Sequence, residues 1–167
     1  MKISKNKISN FNDEKLQKDL ELKLISNIKK LTSSSDLILI SDYGHGFISD
    51  KTAKTFSSIK KFFSLNAQIN ASNYGYHTLR KYNKIDNLII NETELRHEMR
   101  DKIGNLEKMA FTLIKNQKIN NLIVTKGKMG ANLITKNGKV ISCPAFANKV
   151  IDKVGAGDAM LAIISLC

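Results

Sequence analysis

The chain has 167 residues, enough for one domain with a sizeable core, and its 42% hydrophobic and 25% charged residues are ordinary for a globular protein. Its longest apolar runs, residues 37–40 and 161–164, are far too short to span a bilayer, and no long apolar region follows the basic start MKISKNKISN, which argues against a secretory signal and for a cytoplasmic protein. Lys and Arg number 27 against 15 acids, a net charge of +12; the lysines are spread along the chain with no RGG, zinc-finger or RNP-like pattern, which points away from nucleic acid and leaves a field that attracts phosphorylated ligands.

Residues 1–11 carry no clear period and read as a frayed start or a strand remnant. Asn12 is placed to cap a helix, with Asp13 and Glu14 in its first turn, and Leu16, Leu20, Leu24, Ile28 and Leu31 give that helix one apolar face. The run LILI at 37–40 predicts a strand buried on both faces, broken at Gly44 and Gly46. Ser49 caps a second helix with Ala53, Phe56, Ile59 and Phe63 on one side. LNAQINA, residues 65–71, reads as a short strand, 74–82 as a helix, and NLIIN, 87–91, as a buried strand feeding a helix near Asn91.

Residues 105–117 predict a helix with Met109, Leu113 and Ile114 inward, and NNLIVTKG, 120–127, a strand ending in glycine. Asn137–Gly138 joins two strands of a hairpin within 131–143, which Pro144 ends. Gly155–Gly157 then open a last helix. Strands alternating with helices, plus one late hairpin, predict a layered α/β domain with a mostly parallel sheet. Cys143 and Cys167 lack metal-ligand spacing and read as two reduced thiols.

In open α/β sheets ligands bind beyond the carboxyl ends of the strands, and four segments fall there. In SDYGHG, 41–46, Asp42 and His45 follow a buried strand and are candidate substrate contacts, with a plain turn as the alternative. Asn91 and Glu94, three apart in a first helical turn, would share a face that suits hydrated magnesium and its phosphates, the alternative being a helix start that favours acids anyway. VTKGKMG, 124–130, puts the Thr125 hydroxyl and the Gly127 turn at a strand end. In DKVGAGD, Gly155, Ala156 and Gly157 let amide N–H groups converge on an anion, and Asp158 is placed to take a proton from a hydroxyl attacking phosphorus.

DKVGAGDAM resembles the signature of the ribokinase-like sugar kinases, the PfkB carbohydrate kinase family, and Asn91-x-x-Glu94 and VTKGKMG resemble that family's two other nucleotide-side motifs in the right order. SDYGHG, INASNYGYHTLRKY and NETELR resemble the heptose-phosphorylating branch and the branch joined to a nucleotidyltransferase. The resemblance implies a three-layer α/β/α fold over one partial domain, residues 1–167, cut at both ends, that transfers phosphate from ATP to a sugar hydroxyl with Mg²⁺ and a monovalent cation. It implies Asp158 as base, Gly155, Ala156 and Gly157 as anion hole, Asn91 and Glu94 as organisers of metal and phosphates, Thr125 and Gly127 as nucleotide contacts, and Asp152 as a cation ligand. Lys153 and Val154 stand where the family often has Thr, Met160 where Phe is common, and Ile90 where Pro is frequent. Two readings stay open: a kinase core completed by self-association or by a complementary fragment, and a remnant that keeps the fold and weak nucleotide binding.

Overall fold

The computed structural model describes residues 16–68, 79–146 and 155–166. Helix α1 (Lys18–Thr32) precedes strand β1 (Leu37–Asp42), helix α2 (Asp50–Ser58), strand β2 (Phe62–Ala67), a 3₁₀ turn (Leu79–Lys81), strand β3 (Asn87–Asn91) and helices α3 (Glu92–Met99) and α4 (Leu106–Gln117). Strand β4 (Asn121–Thr125), a 3₁₀ turn (Gly127–Met129), strands β5 (Ala131–Thr135) and β6 (Val140–Cys143) and helix α5 (Ala156–Ile164) complete the order.

The six strands form one sheet in chain order; β1 to β4 run parallel and β5 and β6 return antiparallel. On one face Ile38, Ile40, Phe63, Leu65, Leu88, Ile90, Leu122 and Val124 meet Ala53 and Phe56 of α2, Leu95 of α3 and Met109 and Leu113 of α4. On the other face Ile89 and Ile123 pack beneath Leu161 of α5. This is the helix–sheet–helix layering expected, with most of the apolar burial, worth roughly 1.5–3 kcal/mol per large side chain, on the first face.

Several expected elements shift. The first helix begins at Lys18 with Asp19 and Glu21 in its first turn, and Leu16 and Gln17 precede it, so a start capped by Asn12 does not hold; Asn12 itself lies outside the described residues. Strand β1 is not buried on both faces: it ends the order of the described strands, and Leu39 is 43% exposed beside buried Ile38 and Ile40. Ser49 does cap α2, accepting from the Thr52 N–H at 3.1 Å, but Phe63 belongs to β2, because the backbone is extended at Ile59 and the strand has begun by Phe62. The second strand therefore spans Phe62–Ala67, not 65–71. Of the helix expected over 74–82, the described part is only the turn Leu79–Lys81, with 74–78 outside the described residues. No described helix is long and apolar enough to cross a membrane.

Candidate active site

Parallel strands end on the same side, and register fixes how their ends line up. Asp42 pairs with Ala67 and Asn91 with Thr125, so the residues singled out in the sequence stand along one carboxyl edge. Helix α5 crosses the second face over β1, β2 and β3 and presents its N-terminus there.

Gly155 is the N-cap of α5, at φ 79°, the left-handed region where a side chain is disfavoured. Being glycine, this N-cap has no side chain of its own to bond the first N–H groups. The first N–H groups of any α-helix lack carbonyl partners within it, and here they sit beside the positive end of the dipole. Gly157 lies directly over β2: a Cβ there would collide with Nδ2 of Asn66, which is buried. Glycine thus brings the helix closer to the sheet than alanine would.

Asp158, in the first turn, is half-buried and reaches back across the sheet. Its Oδ1 accepts a hydrogen bond from Ser41 Oγ at 2.5 Å, and its Oδ2 accepts one from Tyr43 Oη at 2.9 Å. A strand's alternation explains the pair. Ser41 and Tyr43 are two residues apart at the end of β1 and share a side, while Asp42 between them turns to the other. Both hydroxyls are on exposed residues, so a carboxylate is held here by groups that an incoming hydroxyl can replace.

Asp42 is buried on the opposite side of the strand and fully engaged. Its Oδ1 accepts from the Gly44 N–H at 2.9 Å, and its Oδ2 accepts from Tyr82 Oη at 2.7 Å and pairs with Lys81 Nζ at 2.6 Å. Burial alone would raise the Asp42 carboxyl pKa, but the Lys81 ammonium and the hydrogen bonds from Lys81, Tyr82 and Gly44 outweigh it, and the net shift is downward. Burial and the Asp42 charge push the Tyr82 hydroxyl well above the usual tyrosine range. Asp42 thus faces the helix layer away from Asp158. His45, the other candidate substrate contact, is half-buried in the loop after β1.

Asn91 is not in the first turn of α3 but is its N-cap. Its side-chain oxygen accepts from the Glu94 N–H at 2.8 Å, while Glu94 Oε2 accepts from the Asn91 N–H at 2.7 Å, a reciprocal capping box. The two side chains converge as expected, through the backbone of their own helix. Thr125, half-buried, stands beside Asn91 across the β3–β4 ladder, and Gly127 opens the 3₁₀ turn that follows. Among the described residues no group of three or more His, Cys, Asp and Glu could hold a metal ion. One amide and one carboxylate fit a magnesium ion that keeps its waters and rides on phosphate oxygens, rather than one caged by protein. Asp152 lies outside the described residues.

The candidates therefore form two groups on one edge: Asp158 with the end of β1, and Asn91, Glu94, Thr125 and Gly127 at the ends of β3 and β4. Sequence reasoning missed Ser41, Tyr43, Asn66, Lys81 and Tyr82. The first two lie inside the SDYGHG segment, and the alternation of a strand running through Asp42 was the available signal. Lys81 and Tyr82 close the INASNYGYHTLRKY segment, which resembles the family branch but does not say what they touch, and Asn66 is joined to the site only by the fold.

The chain matches the pfkB family of carbohydrate kinases over residues 3–165, and it belongs to that family. Bifunctional protein HldE of Coxiella burnetii is 30% identical over 156 residues, 91% of this chain and 32% of that protein; HldE of Trichlorobacter lovleyi is 25% identical over 155 residues, 91% and 31%. The chain thus spans about a third of the curated relatives it matches. Phosphofructokinase-2 of Escherichia coli, solved in complex with potassium, superposes with a TM-score of 0.74 at 17% identity, covering 91% of this chain and 50% of that one. Ribokinase of Arabidopsis thaliana, solved with ribose and ATP, gives 0.58 at 22% identity, covering 89% and 45%. Both likenesses speak for the fold alone.

Proposed function

We propose that this chain carries the catalytic edge of an ATP-dependent sugar kinase, of the heptose-phosphorylating kind, with Asp158 as the general base. One observation supports this above the rest: a carboxylate at the start of a helix, both oxygens met by hydroxyl groups. A sugar hydroxyl that displaces Ser41 or Tyr43 stands within reach of Asp158 and beside the first N–H groups of α5. Asp158 accepts its proton as the oxygen attacks the γ-phosphorus of ATP, the bond to the bridging oxygen breaks, and ADP leaves. The N–H groups from Gly155 onward face the negative charge that grows on the transferring group.

Asn91, Glu94, Thr125 and Gly127 are assigned to the nucleotide side, two strands away. Magnesium, when bound there, neutralises phosphate charge; Asn91 and Glu94 would orient its waters. Asp152 is assigned to a monovalent cation by the family resemblance. A second reading, a fold that binds nucleotide without turnover, draws support from the capping box, since Asn91 and Glu94 already have a structural reason to be there.

The decisive measurement is ADP release with a panel of heptoses and hexoses, for the wild type and Asp158→Asn. The amide keeps the size but cannot accept a proton at neutral pH, so turnover should fall about 10²–10⁴-fold with nucleotide affinity retained. Turnover within about threefold of wild type, short of that range, removes Asp158 as base. Nucleotide binding with no turnover by the wild type selects the second reading.

A further inference from the structure

The end of β1, which carries Ser41 and leads into Tyr43, has a buried anchor of its own. Three groups converge on Asp42: the Gly44 N–H, the Tyr82 hydroxyl and the Lys81 ammonium. The Lys81 side chain is only 7% exposed, and its Nζ also donates to the carbonyl of Ile48 at 2.8 Å. One ammonium therefore pins both ends of the segment 42–48. The 3₁₀ turn that brings Lys81 is itself tied to the core, with the Leu79 N–H donating to Glu98 Oε2 of α3 at 3.0 Å and Tyr82 packed at 6.2 Å from Phe63.

A buried ion pair is weak support for stability, because desolvation offsets most of its attraction. What such a pair does supply is direction. The carboxylate of Asp42 has a fixed orientation only if its donors are fixed, and the strand's alternation then dictates where its two neighbours point. Those neighbours are the two residues that hold Asp158. Resting on the kinase reading above, we propose that Lys81 and Tyr82 are positioning residues which, through Asp42, set the end of β1 so that Ser41 and Tyr43 hold Asp158 ready for the acceptor hydroxyl. Asp42 is then no sugar contact; its part is to transmit the anchor from one side of the sheet to the other.

The test is a double-mutant cycle read in urea unfolding of the full chain, which needs no turnover. Ser41→Ala is made alone and in the background of Lys81→Met, with Tyr82→Phe as the milder background should Lys81→Met not fold. Ser41 and Lys81 share no hydrogen bond and lie on opposite sides of β1, so independent sites would give additive effects. If Lys81 sets the geometry of the clamp, removing Ser41 costs less once Lys81 is gone, and the unfolding constants depart from additivity by about threefold or more. Additivity within about twofold, the ordinary scatter for uncoupled sites, overturns the proposal.

A second cycle separates it from the kinase reading. In turnover assays Tyr82→Phe should lower kcat with KM for ATP unchanged, and should add nothing, within about twofold, to Asp158→Asn. A Tyr82→Phe effect that multiplies that of Asp158→Asn marks a merely structural role and sinks the assignment. If the wild type shows no turnover, the kinase reading fails while the unfolding cycle still decides whether the anchor and the clamp are coupled.

Discussion

Two acidic residues of this edge, Asp158 and Glu94, are held in opposite ways. Asp158 is half-buried and bound by two hydroxyls from exposed residues more than a hundred positions away. Glu94 is 8% exposed and bonds the backbone N–H of the residue three before it. Hydroxyl partners on exposed residues leave a carboxylate able to exchange them for a substrate hydroxyl. A capping box, by contrast, makes the acid part of the helix. The contrast predicts that changes at the first acid appear in turnover, and changes at the second in stability as well as in binding.

The largest expected effect is the loss of turnover in Asp158→Asn given above, and the comparison requires that its unfolding midpoint barely move. Next comes Glu94→Ala. It leaves the N–H of exposed Asn91 to water in place of its carboxylate partner, so the fold should lose about 0.5–1.5 kcal/mol, the net worth of one hydrogen bond. Affinity for Mg-ATP should fall as well if Glu94 serves the nucleotide side. Urea unfolding and calorimetry on the folded fraction separate the two. An unchanged midpoint would mean the capping box is not what holds Glu94, and unchanged affinity would remove it from the nucleotide site.

The anchor behind the clamp sharpens the comparison through pH. The Tyr82 pKa is raised in the fold, so the unfolded chain loses that proton first as pH climbs past about 10. Above that point the folded state binds more protons, and Tyr82 contributes a loss of stability approaching about 1.4 kcal/mol per pH unit. Asp42 works in the other direction. Its pKa is lowered in the fold, so its contribution is present above the unfolded value of 3.8 and is lost as pH falls below it. Unfolding midpoints of wild type and Tyr82→Phe from pH 8 to pH 11 test this. The slope should flatten in the variant by one proton, and equal slopes would mean Tyr82 is not held neutral beside Asp42.

How much of this was legible follows the same division between local and distant causes. The parallel core of β2 to β4 with its late hairpin, the Ser49 cap and the start of α3 were readable because their reasons lie within a few residues. So was the glycine-rich opening of α5, whose spacing alone suggests an anion site. Leu39 was misread because the run LILI says nothing of where its strand sits in the sheet, and β1 ends the order of the described strands. Asp42 was read as a candidate substrate contact because it follows a buried strand at the edge where α/β sheets bind ligands. Only the fold brings Lys81 and Tyr82, about forty positions on, to its far side. Ser41 and Tyr43 meet Asp158 for the same reason, a contact no local pattern encodes.

The smallest effect belongs to the opening of α5, where two glycines of one motif are needed for different reasons. Gly155 has a positive φ, and no described residue comes within 4 Å of where a Cβ would sit, so its requirement in the fold is conformational. Gly155→Ala should cost roughly 1–2 kcal/mol, the left-handed penalty for a residue with a Cβ. Gly155→Asn should cost less, since Asn tolerates that region and can cap the helix. Gly157 is a matter of space: its Cβ would strike the buried Asn66, so alanine and asparagine should both be poorly accepted there. Urea unfolding of the alanine and asparagine variants at each position distinguishes the cases. Rescue by asparagine at 155 but not at 157 supports an open, left-handed cap above a tightly seated second glycine. If asparagine is no better than alanine at Gly155, the cap conformation is not what selects glycine there, and the anion-hole geometry built on that cap would have to be redrawn.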